Sequence, residues 1–155
     1  MQGEATVIDE LNARLAEELT ATNQYMVHAE MCENWHYSRL AESIRKRAII
    51  EMKHAERLIE RILFLDAHPI VSVLNEIRIG ATVPEMHAND LAAEVDAVKA
   101  YNESIRICAD LKDDGTKEML ESILTVEEDH VDWLEAQLSQ IEQVGRENYL
   151  AEQIG

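Results

Sequence analysis

The sequence is poor in turn-forming and aromatic residues. Its 155 residues include only five glycines and two prolines, and aromatic residues make up 5%. So few turn formers exclude the many short connections of a β-sandwich or β-barrel, whereas a hydrophobic content of 46% is too high for a disordered chain. The length allows one domain with a mostly aliphatic core.

Cysteine, basic residues and long hydrophobic runs are also scarce. Cys32 and Cys108 form no CxxC pair, which excludes a disulfide framework and a thiolate zinc site. Fourteen Lys and Arg residues against 31 Asp and Glu residues give a net charge of −17, so nucleic acid is not an expected partner. No hydrophobic run approaches the ~18 residues that span a bilayer, and no basic segment precedes an apolar one at the start. We therefore expect a cytoplasmic protein with no membrane partner.

Helical periodicity fills most of the chain. Four long helices are predicted by apolar residues that recur every three or four positions. The four segments run from Ile8 to Ala29, Leu40 to Leu65, Leu91 to Cys108 and Leu120 to Ile141.

Capping signals set the predicted boundaries. Ser38 is placed to cap the second helix, Thr82 and Glu85 form a capping box for the third, and Gly145 ends the fourth. We predict a single all-α domain over residues 1–155. Its bundle covers about 4–144, and a short C-terminal helix covers about 146–154.

One connection is too long for a simple bundle. Residues 67–81 separate helices two and three, whereas bundle loops usually have ~2–8 residues. Helix two is roughly 42 Å long at ~1.5 Å per residue, and an extended segment of this length can run back along it. The sequence therefore predicts a four-helix bundle with one long crossover, in which helices two and three are parallel.

Each predicted helix carries a glutamate where its apolar stripe should continue. Glu18 lies between Leu15 and Thr22 in the first helix, and similar breaks occur in the other three. In helices two and four a histidine follows one turn later, in a Glu-x-x-His pattern. The six residues are Glu18, Glu51, His54, Glu94, Glu127 and His130.

A repeat relates these six residues. The first three recur 76 positions later as the last three, which indicates two helical hairpins with pseudo-twofold symmetry. Glu18 and Glu51 are equally far from the first turn, and Glu94 and Glu127 are equally far from the second. Antiparallel hairpins therefore place all six side chains at one level of the bundle.

Carboxylates buried together need compensation, because each desolvated charge costs several kcal/mol. They can be protonated through raised pKa values, or neutralised by two divalent cations. Oxygen and nitrogen ligands without thiolate suit iron, manganese or zinc, and this helix-by-helix pattern is the di-iron carboxylate arrangement. The plainer interpretation, polar residues on solvated faces, suits an isolated pair such as Glu33 and His36 better than a symmetric set of six.

Longer motifs resemble the bacterioferritins, the haem-containing branch of the ferritins, from about Val7 to Ile154. The motifs are Glu18 with Asn23-Gln24-Tyr25, Glu51-Met52-Lys53-His54-Ala55-Glu56-Arg57, Arg61-Ile62-Leu63-Phe64-Leu65, Glu127-Glu128-Asp129-His130 with Asp132-Trp133-Leu134-Glu135, and Asn148-Tyr149-Leu150. The resemblance implies a ferritin-like hollow shell of twenty-four subunits. Such a shell oxidises Fe(II) with dioxygen or hydrogen peroxide and stores the ferric mineral inside.

The resemblance also implies a place for each iron ligand, with two iron ions in each subunit. The implied bridging ligands are Glu51 and Glu127, and the implied terminal pairs are Glu18 with His54 and Glu94 with His130. Tyr25 and Tyr101 lie two turns from Glu18 and Glu94, which makes them candidate partners of the ligands. Their plainer interpretation is core packing with a satisfied hydroxyl.

Met52 points ~100° away from Glu51 around the second helix. Its plainer interpretation is a soft methionine at a subunit contact. In bacterioferritins the methionine at this place binds haem iron from each side of a twofold dimer. The resemblance therefore implies one haem b shared by two subunits, and a small ferredoxin that reduces the iron store through the haem.

The chain departs from the family pattern just before Glu51. Some bacterioferritins have His and Asp there, which form an auxiliary iron site on the inner surface of the shell. This chain has Lys46 and Ile50 instead. We therefore expect iron to reach the store through the di-iron centre itself.

Three other functions share parts of this pattern. A rubrerythrin-like peroxidase or a di-iron oxygenase would use the same bundle, but rubrerythrins usually add a domain with paired CxxC motifs. A non-catalytic haem-binding shell subunit would not need six intact ligands. A miniferritin that protects DNA has its metal sites between subunits, and an acidic chain does not suit DNA.

Overall fold

The computed structural model describes residues 1–155, and its only regular secondary structure is helical. The five helices are α1 (Ala5–Asn34), α2 (Ser38–Phe64), α3 (Val83–Asp110), α4 (Asp114–Val144) and α5 (Arg146–Ala151). The predicted all-α class, with four long helices and a short C-terminal one, is confirmed. None of these helices combines the length and the apolar character that crossing a membrane requires.

Two predicted helix ends are confirmed, and local chemistry explains both. The Thr82 hydroxyl accepts a hydrogen bond from the Glu85 amide at 3.3 Å, and the Glu85 carboxylate accepts one from the Ala81 amide at 2.9 Å. The capping box therefore forms, with its return bond one residue earlier than usual. Gly145 has a φ of 84°, a conformation that favours glycine and that ends α4.

Two predicted ends are wrong. Ser38 is already the first residue of α2, and the residue before it makes no capping bond with its side chain. The reason is the tight turn after α1, where the backbone of His36 has a left-handed conformation with a φ of 63° and the next helix begins two residues later. The C-terminal helix stops at Ala151 rather than near 154, because the Gln153 amide donates to the Leu150 carbonyl at 3.0 Å and closes a tight turn there. The Gln153 carbonyl then accepts a hydrogen bond from the Arg39 amide at 3.0 Å.

The segment between α2 and α3 is the predicted crossover. Its backbone amides donate hydrogen bonds to a row of polar side chains along α1, which carries the chain from one end of α1 to the other. As a result α3 starts beside the end of α1 and runs parallel to α2. The pairs are Ile70 with Asn12 at 2.9 Å, Asn75 with Thr20 at 2.8 Å, Arg78 with Gln24 at 3.0 Å and Gly80 with His28 at 3.0 Å.

The core has two apolar layers with a polar level between them. One layer gathers leucines near the start of α1, including Leu11, Leu58 and Leu120. The other lies near the end of α1 and includes Ile44 and Met86. The glutamates and histidines of the predicted site lie between these layers, so apolar side chains cover the site toward both ends of the bundle.

Gly80 lies where the crossover passes the start of α3, and we predict that Gly80→Ala destabilises the protein. An added Cβ would lie 2.3 Å from the Met86 backbone nitrogen and 2.7 Å from the Glu85 carbonyl carbon, and the helix backbone cannot move aside easily. We expect a loss of about 1–3 kcal/mol in the free energy of unfolding, measured by urea denaturation. The control is Gly115→Ala, whose Cβ meets only the movable end of Arg61. Equal losses in the two variants would contradict this account.

Candidate metal centre

The six residues that interrupt the apolar stripes come together at the polar level of the core. Each of these residues is at most 5% exposed. They form two overlapping groups, and within each group one ligand atom per residue lies within 4.8 Å of the others. Glu51 and Glu127 belong to both groups. Glu18 and His54 complete the first group, and Glu94 and His130 complete the second.

The two histidines have matching surroundings, as the 76-residue repeat predicts. Each Nδ1 atom lies close to a carboxylate of the opposite Glu-x-x-His helix and slightly farther from a carboxylate of α1 or α3. The Nδ1-to-oxygen distances are 3.0 Å for His54 and Glu127, 2.8 Å for His130 and Glu51, 3.6 Å for His54 and Glu18, and 3.5 Å for His130 and Glu94.

Two buried tyrosines hold the outer carboxylates. The Tyr25 hydroxyl donates a hydrogen bond to Glu94, and the Tyr101 hydroxyl donates one to Glu18 at 2.5 Å. Each bond crosses from one hairpin to the other. Burial raises the pKa of both tyrosines well above the ordinary value, so the phenols remain protonated donors. Each tyrosine therefore fixes one oxygen of its carboxylate and leaves the other oxygen available.

Burial favours the protonated form of three of the four clustered carboxylates. Burial raises the pKa of Glu18, and it raises the pKa of Glu51 and Glu94 well above the ordinary range. For Glu127, hydrogen bonds that include one from His54 outweigh burial and lower the pKa. Burial alone lowers the pKa of His54, but the hydrogen bond to Glu127 and the nearby negative charge of Glu18 raise it to about 9.

Several atoms of the cluster have no hydrogen-bond partner. His130 Nδ1 and Glu51 Oε1 lie 2.8 Å apart but lack the geometry of a hydrogen bond. A buried polar group left unpaired costs ~1–3 kcal/mol, and a shared cation would satisfy both atoms. Oxygen and imidazole donors without thiolate fit iron. The unpaired atoms are Glu18 Oε2, Glu51 Oε1, Glu94 Oε2, His130 Nδ1 and His130 Nε2.

A cavity of about 310 Å³ adjoins the cluster between α1, the crossover and α3. The four clustered glutamates line it and are buried, whereas Glu17 also lines it and its side chain is 23% exposed. Burial raises the pKa of Glu17 to about 7, although the Arg14 guanidinium acts in the opposite direction. A separate cavity of only about 10 Å³ lies between α2 and α4, where the Arg47 guanidinium lies 5.6 Å from the centre of the Trp133 ring.

The sequence motifs did not predict a second buried polar network. His28 Nδ1 lies 3.0 Å from Asp90, and the Gln24 side-chain amide donates a hydrogen bond to Asp90 at 2.7 Å. This network joins α1, α3 and the crossover next to the cluster. The available signal was positional, because Gln24 and His28 lie on the buried face of α1, and Asp90 lies one turn before Glu94.

The remaining predicted residues lie away from the cluster. Met52 is 44% exposed, on the same hairpin as the exposed apolar side chains of Met26 and Ile49. Lys46 is exposed, and Ile50 is half-buried. Glu33 and His36 are both exposed, which confirms their interpretation as surface residues.

Comparisons with known proteins define the class of the chain. The family model described as a ferritin-like domain matches residues 8–144. The bacterioferritin of Rhodobacter capsulatus is 44% identical over 149 residues, covering 96% of this chain and 92% of that protein. The bacterioferritin of Brucella melitensis is 42% identical with the same coverage. The bacterioferritin of Mycobacterium leprae is 40% identical over 152 residues, covering 98% of this chain and 96% of that protein.

The fold and the match to the ferritin-like domain place this protein in the ferritin-like class. Within that class, the chain belongs to the bacterioferritin family. Membership of this family supports a function in iron storage. The two carboxylate and histidine groups support iron binding.

We predict that Glu51→Gln stabilises the metal-free protein near neutral pH. Because burial raises the pKa of Glu51 in the fold, the metal-free protein loses stability as the pH rises above the ordinary value of 4.5. The amide of Glu51→Gln removes this cost, so we expect the Tm of the variant at pH 7.5 to exceed that of the unmodified protein by about 2–4 °C for each kcal/mol recovered. The Tm of the variant should also differ less between pH 5 and pH 7.5 than the Tm of the unmodified protein does.

The Tm values are measured by differential scanning calorimetry, first without metal and then with Co(II). Co(II) should raise the Tm of the unmodified protein more than that of Glu51→Gln. Glu56→Gln, an exposed site on α2, is the matched control and should change neither property. A lower Tm for metal-free Glu51→Gln would contradict the view that the buried carboxylates lower the stability of the metal-free protein.

Proposed function

We propose that this protein is a ferroxidase that stores iron, and that its centre binds two Fe(II) ions as substrate. The observation that carries the proposal is the pair of overlapping ligand groups that share Glu51 and Glu127. Two shared carboxylates are suited to bridge two neighbouring cations. Glu18 with His54 would complete one iron, and Glu94 with His130 would complete the other.

The two irons supply what the oxidant requires. Each Fe(II) gives one electron, so a pair of irons with two protons reduces one dioxygen to hydrogen peroxide, or one hydrogen peroxide to two waters. The protein contributes the geometry, because Tyr25 and Tyr101 fix the outer carboxylates before the metal arrives. It also exchanges charge, since protons on the buried carboxylates and on His54 leave as the cations bind.

We further propose that Met52 binds haem b together with Met52 of the partner subunit. The thioether is 44% exposed, and exposed apolar side chains of the same hairpin suit the face of a porphyrin. Two thioethers at a twofold contact can serve as the two axial ligands. When bound, the haem supplies one-electron transfer, which would let a small ferredoxin reduce the stored iron.

The exposed crossover supports assembly into a shell. Its apolar side chains remain solvent-exposed in the single chain, and Val71 is 58% exposed. Apolar surface of this extent usually marks a protein contact. We propose a cytoplasmic shell of twenty-four copies in which residues 1–155 form one domain. Because Lys46 and Ile50 provide no second iron site, iron passes to the store through the centre itself.

An aerobic Fe(II) titration of the metal-free protein tests the ferroxidase proposal. We predict a fast rise in near-ultraviolet absorbance that saturates at about two irons per chain. Glu51→Ala and Glu127→Ala should abolish the fast phase, because each removes a carboxylate shared by both irons. Glu128→Ala, which removes the same charge from an exposed neighbouring position, should leave it intact. No fast phase in the unmodified protein would instead favour a non-catalytic haem-binding subunit.

Haem reconstitution tests the role of Met52. We predict that the unmodified protein takes up about one haem b per two chains, with the absorption spectrum of bis-thioether ligation. Met52→Leu keeps the size and apolar character of the side chain but removes the sulfur, so this spectrum should disappear. Met31→Leu is the control, because that methionine is partly buried against the core. An unchanged haem spectrum in Met52→Leu would rule out the proposed ligand.

A further inference from the structure

We propose that Arg14 and Glu17 form an exchangeable ion pair that controls how fast divalent cations reach the metal centre. In this inference Glu17 is a transient first contact for the cation, and Arg14 competes with the cation for that carboxylate. The inference rests on the proposed function, since it takes the arriving cation to be Fe(II).

The pair is well formed and largely shielded from solvent. Arg14 donates two parallel hydrogen bonds to Glu17, each 2.9 Å long. The side chains are only 12% and 23% exposed, respectively. A forked bond of this kind holds its carboxylate in one place. Glu17 is therefore positioned before any cation arrives.

Arg14 also has partners that do not depend on Glu17. Its Nη1 atom donates hydrogen bonds to Ser104 Oγ at 2.8 Å and to the Ala100 carbonyl at 3.2 Å. The same atom lies 3.6 Å from the Glu10 carboxylate. When a cation takes Glu17, the guanidinium can stay where it is and pair with Glu10. Exchange therefore leaves no buried charge without a partner.

Glu17 stands between solvent and the buried ligands. It lines the cavity of about 310 Å³ and precedes Glu18, whose Oε2 atom is buried and unpartnered. Arg78 also lines the cavity, but its guanidinium is paired with Glu76 at 3.3 Å. A cation held by Glu17 therefore has an unpaired carboxylate oxygen as its next ligand.

A second cavity near the centre is unfavourable for cations. Between α2 and α4 the cavity holds only about 10 Å³. The Arg47 guanidinium lines it and lies against the Trp133 ring. A fixed positive charge at this place repels an arriving cation, and none of the six ligands lines this cavity. The cavity beside Glu17, which all four clustered glutamates line, is therefore the favoured route.

The two members of the pair should affect cation binding in opposite directions. Glu17→Gln removes the first contact and slows association, whereas Arg14→Gln removes the competitor and speeds it. A purely structural role predicts the same direction for both variants, because either substitution breaks the same ion pair.

Stopped-flow mixing of the metal-free protein with Co(II), without oxygen, separates these alternatives by following the visible absorbance of bound Co(II). We expect association to be about tenfold slower in Glu17→Gln, the lower end of the effect of local charge on cation arrival, and several-fold faster in Arg14→Gln. Both variants should still bind about two Co(II) per chain. Glu17→Asp, which keeps the charge, should stay close to the unmodified rate, and circular dichroism confirms the fold of each variant.

Glu128→Gln is the matched control, because it removes the same charge beside Glu127 but does not line the cavity. Three results would overturn the inference: equal rates in Glu17→Gln and Glu128→Gln, rate changes of the same sign in Glu17→Gln and Arg14→Gln, or loss of one bound Co(II) in Glu17→Gln. Failure of the unmodified protein to bind a pair of Co(II) ions would instead overturn the proposed function, so the two failures are distinguishable.

Discussion

Four glutamates buried at one level of a helical bundle are the constraint on which the rest of the structure depends. Each is at most 2% exposed, where an isolated ionised carboxylate would cost several kcal/mol. The bundle meets this cost with two histidines and two tyrosine hydroxyls, and leaves several oxygen and nitrogen atoms unpaired between them. Such an arrangement is poor for a metal-free core and well suited to two cations. The apolar layers above and below keep it in place.

Pseudo-twofold symmetry explains how one chain builds this arrangement. The hairpin of α1 with α2 and the hairpin of α3 with α4 supply equivalent ligands, and each tyrosine reaches across to the other hairpin. The two hairpins can face each other in this register because the crossover returns along the whole of α1. Polar side chains from Asn12 to His28 hold the crossover there. The long connection is therefore part of how the site is assembled.

The helices, the crossover and the convergence of the six ligands could be predicted from sequence, because helical period and a fixed repeat determine them. Details that depend on how elements meet could not. The C-terminal helix ends in a tight turn at Gln153, whose carbonyl is bonded to the Arg39 amide 114 residues away in the chain. Glu17 looks like an ordinary surface glutamate until the cavity beside it is seen. Likewise, periodicity gives no sign that Tyr25 would contact Glu94 rather than its own hairpin.

The central claim is that the six buried ligands hold two metal ions between them. Anomalous diffraction from crystals soaked anaerobically in Fe(II), recorded on both sides of the iron absorption edge, tests this claim most directly. We predict two peaks in each chain a few ångströms apart, both within bonding distance of Glu51 and Glu127. A single peak, or iron bound only at other carboxylates while these six stay hydrogen-bonded among themselves, would contradict it.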